Sequence, residues 1–117
     1  MVARTHRLSR EADFRRLFAR GNRSHTSLLS LVVVKNGMVT TRYAVVVATT
    51  VAKRATIRNL LRRRLSEHVR LLLPTIVPGY DCAFVVRPPA TKASSEALRS
   101  AGTTLLRRVG LLPPYQP

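Results

Sequence analysis

An α+β sandwich, one mixed β-sheet covered by helices, is the fold class this chain predicts. Three observations carry it. Short runs rich in β-branched residues, at 28–34, 42–47 and 82–86, have the length and composition of strands. Stretches with apolar residues three and four apart, at 9–20, 53–70 and 94–109, have the helical period. The two kinds follow one another as α-β-β-α-β-α, which places helices and strands in shared layers. At 117 residues the chain predicts one domain with a modest core.

The first helix opens at Ser9, a suitable N-cap, with Glu11 and Asp13 at the positive end of the helix dipole. Phe14, Leu17 and Phe18 form its apolar edge, flanked by Arg15, Arg16 and Arg20, and Gly21 caps its end. Core packing is the ordinary role for such phenylalanines, and stacking on single-stranded bases is the alternative. Residues 21–26 are polar, either a loop or a short extra strand near Arg23. The apolar run 28–34 reads as a strand covered on both faces. Asn36–Gly37 is a hairpin signal, so 28–34 and 42–47 are expected to pair directly as antiparallel neighbours.

After a loop at 48–52, Ile57, Leu61, Leu65, Val69 and Leu72 mark the apolar stripe of the central helix. Pro74, Pro78 and Gly79 end it, and Asp81 is expected to serve a turn. The strand 82–86 stops at Pro88–Pro89. Leu98, Leu105, Leu106 and Val109 line the last helix, which Gly110 breaks. A helix joining 42–47 to 82–86 makes a β-α-β crossover, right-handed by the general rule if the strands are parallel.

Charge narrows the function. Lys plus Arg number 21 against five acids, a formal net charge of +16, and only Lys35, Lys53 and Lys92 are lysine. Arginine pairs with phosphate bidentately and stacks on bases, so nucleic acid is the first candidate partner. Six arginines fall between residues 53 and 70, with Arg54, Arg58 and Arg62 in one helical row and Asn59 and Arg63 in the next. The absence of Trp or Phe on that helix weakens a membrane-surface role, and no apolar run is long enough to span a bilayer. The lone Cys82 and the lack of a secretory signal make the cytoplasm the default.

Catalytic chemistry is thinly supplied. His6, His25 and His68 lie in different segments, the acids are scattered, and the five glycines form no phosphate loop. Glu67 is best read as a partner of Arg63 or Arg70, and Asp13 as serving the helix dipole. No catalytic residue and no protein-held metal is expected.

The stretch R-A-T-I-R-N-L-L-R-R-R-L-S-E, from Arg54 to Glu67, resembles the signature helix of the bacterial ribonuclease P protein subunit. R-L-S-R-E-A-D-F-R-R-L-F-A-R-G resembles that family's N-terminal helix, and R-Y-A-V-V-V-A the strand leading into the signature. Gly79, Tyr80 and Asp81 followed by F-V-V-R-P resemble its last strand. The resemblance covers nearly the whole chain in the right order.

It implies a small subunit that binds a catalytic RNA and assists that RNA in removing the 5′ leader of precursor tRNA. The chemistry and its Mg2+ would belong mainly to the RNA, and the protein alone would be non-catalytic. By resemblance, Arg54, Arg58, Asn59, Arg62 and Arg63 contact RNA, and Phe14 and Phe18 line a leader cleft between the N-terminal helix and the sheet. The family also implies a left-handed β-α-β crossover, which overrides the general rule. The whole chain, 1–117, is then one RNA-binding domain with a basic tail at 1–8 and a C-terminal tail at 111–117. No membrane and no obligate protein partner is implied. Thr49 and Thr50 replace a basic doublet, Leu60 and Ser66 replace arginines, and Val32 stands where a cleft aromatic is frequent. A protein of another structured RNA, such as the ribosome, or a DNA-architectural protein is the competing class.

Overall fold

The computed structural model describes residues 4–113. Three helices, α1 (Glu11–Arg20), α2 (Ala55–Leu72) and α3 (Ser95–Arg108), enclose four strands, β1 (Asn22–His25), β2 (Leu29–Lys35), β3 (Arg42–Val46) and β4 (Tyr80–Val86). The sheet order is β1-β2-β4-β3, with β2 antiparallel to β1 and β4 and with β3 parallel to β4. The short strand expected near Arg23 is β1.

The expected β2–β3 hairpin does not form, because β4 lies between its two strands. β4 is buried continuously from Asp81 to Phe84, so it needs a neighbour on each side. The turn signal is nevertheless used. Gly37 has φ +70°, and the Asn36 side chain accepts the Met38 N–H at 2.8 Å while donating to the Thr40 carbonyl at 3.0 Å. The six residues 36–41 then step across the width of one strand instead of closing a tight pair.

Side chains alternate across the sheet and build a core on each face. On one face Leu29, Leu31, Val33, Tyr43 and Phe84 meet Leu61, Leu65 and Val69 of α2 and Leu98, Leu105 and Leu106 of α3. On the other, Val32 and Ala83 meet Leu17 of α1 and Leu8. β2 therefore has helices on both sides, which explains why it is apolar on both faces apart from Ser30.

Helix ends depart from expectation in two places. Arg10, not Ser9, is the N-cap of α1, and its side chain makes no capping bond. Gly21 does terminate α1, but at φ −73° rather than left-handed. Its value is close approach, since a Cβ there would sit 2.5 Å from the Leu17 carbonyl oxygen and 2.6 Å from Val32 Cγ1. α3 starts at a true cap, with the Ser94 side chain accepting the Ala97 N–H.

The two expected tails are partly built into the fold. Leu8 is buried, donates its N–H to the Tyr43 carbonyl at 3.1 Å, and follows a parallel bridge between Arg7 and Tyr43. This segment covers the outer edge of β3. Leu111 and Leu112 are buried in the larger core, and Leu111 accepts from the Val77 N–H. The rest of the expected C-terminal tail, 114–117, and residues 1–3 lie outside the described residues.

Candidate nucleic-acid interface

α2 is held by the buried stripe Leu61, Leu65 and Val69, while Ile57 at its start remains 39% exposed. The buried stripe is thus shorter than its spacing predicts. Fixing that stripe forces Arg54, Asn59, Arg62, Arg63 and Arg64 outward, where all five are exposed. Arg62 donates to the Asn59 side-chain carbonyl at 2.8 Å. Both residues line a shallow groove of ≈ 390 Å³ with Arg63, Ser66 and Glu67.

Arg58 differs from its neighbours. Its Nη1 donates to the carbonyls of Ala52 and Lys53 at 2.8 and 2.7 Å, so it ties the preceding loop onto the first turn. It is half-buried, and its remaining N–H groups are what it can offer to RNA. Arg54 is the helix N-cap residue, without a side-chain cap. Glu67 pairs with Arg70, whose hydrogen bond holds the carboxyl below the usual range. Ser66 receives the buried Tyr43 hydroxyl on its main-chain carbonyl at 3.1 Å, a contact between α2 and β3.

The other face carries α1. Phe14 and Phe18 are half-buried, their rings stacked 6.4 Å apart at 14°, with the inner sides resting on the smaller core. The Arg23 guanidinium lies 5.5 Å from the Phe18 ring centroid and also donates to the Phe18 carbonyl at 2.9 Å. Ser30, Val85 and Val46 pair in register on this same face and are only half-buried, so a strip of sheet beside the helix stays partly open. Val32 is not part of that opening. It is completely buried under α1, where Gly21 closes on it.

The site residues expected from sequence therefore form two groups on opposite faces of the sheet. The arginine face of α2 and the aromatic edge of α1 are not brought together. Thr49 and Thr50 are exposed in the turn before α2.

Sequence inspection missed a charged cluster under α1. Asp81 is fully buried and accepts from Arg42 Nε and Nη2 at 2.9 and 2.8 Å, from Arg16 Nη2 at 3.0 Å and from Asn36 Nδ2 at 3.0 Å. Asp13 joins it, 3.3 Å from Arg42 Nη1. Asp81 is thus a strand residue holding four elements together, not a turn former. Its hydrogen bond with Arg42 raises the Arg42 pKa. The available signal was an acid adjoining the apolar run 82–86 and an arginine opening the run 42–47.

These side chains do not assemble a metal centre. Among the described residues no three His, Cys, Asp or Glu come together. Asp13, Asp81, Glu11 and Glu67 each face an arginine. Cys82 is buried and its thiol is pushed up to about 12, so it is chemically quiet. No described helix is long and apolar enough to cross a membrane.

A strongly basic α+β sandwich with an exposed arginine helix on one face and an aromatic edge on the other defines a nucleic-acid-binding class of protein. The ribonuclease P family model matches residues 2–110, and the chain belongs to that family. It is 40% identical over 113 residues to the ribonuclease P protein component of Chloroflexus aurantiacus, covering 96% of this chain and 83% of that one. It is 30% identical over 95 residues to the component of Picosynechococcus, covering 81% and 82%. The fold matches the RNase P protein from Thermotoga maritima with a TM-score of 0.79 at 27% identity, over 87% of this chain and 96% of that one. It matches the Staphylococcus aureus protein with a TM-score of 0.85 at 18% identity, over 92% and 98%.

Proposed function

We propose that this chain is the protein component of a ribonuclease P ribonucleoprotein, acting in removal of the 5′ leader during tRNA maturation. The observation that carries this reading is the set of exposed arginines on α2, displayed by a buried stripe in a chain of this family. Arg54, Asn59, Arg62 and Arg63, with the spare N–H groups of Arg58, contact the catalytic RNA. Phe14 and Phe18 stack leader bases beside the open strip of sheet. Phosphodiester hydrolysis and its Mg2+ belong to the RNA subunit, which supplies the phosphate oxygens that this chain's paired carboxylates do not. The protein raises affinity for precursor tRNA, needs no obligate protein partner, and works in the cytoplasm.

Reconstitution tests this reading. Purified protein is expected to raise leader cleavage by a bacterial ribonuclease P RNA at low magnesium, and to cleave nothing alone. Cleavage by the protein without RNA, or no stimulation of the RNA, would overturn it in favour of another structured-RNA role.

A further inference from the structure

A separate polar cleft of ≈ 740 Å³ opens at the N-terminal end of α1. Arg7 and Arg10 from the preceding segment, Arg16 from α1, and Asn36, Met38 and Arg42 from the β2–β3 region line it. None of these residues belongs to the arginine helix or to the aromatic edge. We propose that this cleft holds a backbone phosphate of the single RNA strand whose bases stack on Phe14 and Phe18; the inference rests on the function proposed above.

Four guanidiniums converge there against two carboxylates, Asp13 and the completely buried Asp81, which leaves a net positive site. Two of the guanidiniums are already oriented, since Asp81 grips Arg42 through two hydrogen bonds and Arg16 through one. A guanidinium held in place loses little freedom on gaining an oxyanion. The Arg16 side chain nevertheless stays 38% exposed, so its guanidinium can still meet a ligand in the cleft.

The shape favours a strand over a free ion. The cleft is far larger than one phosphate, and among the described residues Met38 is its only apolar lining residue, so it suits a sugar-phosphate chain and not a base. Arg10 stands one helical turn before Phe14, where a strand leaving the aromatic edge would next pass.

The test uses the reconstituted holoenzyme with Arg10→Gln, Arg10→Lys and Met38→Glu proteins, each first checked for wild-type melting. Affinity for precursor tRNA and for leaderless mature tRNA is measured across a salt series. Arg10→Gln is expected to weaken precursor binding several-fold and to reduce the salt slope by about 0.7, the value of one single-strand phosphate contact. Mature tRNA binding should not change, and Arg10→Lys should recover most of the slope. Met38→Glu, which adds a negative charge without removing an arginine, should reproduce the selective loss even if Arg10→Gln proves unstable. Equal losses on both tRNAs would assign the cleft to the tRNA body, and impaired assembly would assign it to the catalytic RNA. Either outcome, or an unchanged slope, overturns the inference. A wild-type holoenzyme that does not distinguish precursor from mature tRNA removes the proposed function itself.

Discussion

Asp81 and Arg42 lie side by side on neighbouring parallel strands, paired in register, and form a two-point hydrogen-bonded ion pair at 2.8 and 2.9 Å. The carboxylate is fully buried and the arginine side chain is 15% exposed. Through Arg16 and Asp13 the pair also reaches α1. It thereby fixes the helix that carries Phe14 and Phe18 over the sheet.

Removing one partner of such a pair strands the other. Asp81→Asn keeps the shape but leaves Arg42 and Arg16 without their anion, and is expected to cost about 3 kcal/mol or more of stability. Urea unfolding checks it. A loss below about 1 kcal/mol would show that water already screens the cluster.

The arginines of α2 should divide by their partners. Arg62→Ala with Arg63→Ala changes only exposed side chains, so stability should stay within about 0.5 kcal/mol while assembly with the catalytic RNA weakens. Arg58→Ala loses two hydrogen bonds to loop carbonyls and should cost about 1 kcal/mol. Melting and RNA binding measured on the same samples separate the two. A double variant that assembles normally would show the exposed face to be idle.

A fully buried phenylalanine cut to alanine costs about 3–5 kcal/mol. Phe14 and Phe18 are half-buried, and each is expected to cost only about 1–2 kcal/mol of fold stability. Each should weaken precursor tRNA binding by roughly 1–3 kcal/mol per stacked base while sparing mature tRNA. If Phe14→Ala weakens both tRNAs equally, it does not serve the leader.

His68 joins α2 to α3, with Nε2 2.9 Å from the Thr103 hydroxyl. Burial, and next the nearby Arg99 charge, lower its pKa below the ordinary 6.5. The unfolded chain then takes up the proton at a higher pH than the folded protein does. This contribution to stability is complete above pH 6.5, declines as pH falls below it, and is lost once the folded His68 also protonates. His68→Gln should flatten that part of the stability–pH curve. Parallel wild-type and variant curves would assign the acid sensitivity elsewhere.

By itself the sequence determined the elements and their chemistry. The run 28–34, apolar at every position but Ser30, required a strand covered twice, and Leu61, Leu65 and Val69 settled which side of α2 is buried and which side shows arginine. These are legible because periodicity within one element sets where its side chains point. Resemblance added the family, on motifs that lie within single elements. What only the tertiary structure decided is who meets whom. β4 entered between β2 and β3 despite a good hairpin signal, Arg58 turned to its own loop, and Val32 disappeared beneath α1. Asp81 gathered Arg42 from 39 residues away and Arg16 from 65. Such partners are chosen by strand order and by the cost of burying an unpaired charge, both properties of the assembled sheet that no local spacing encodes.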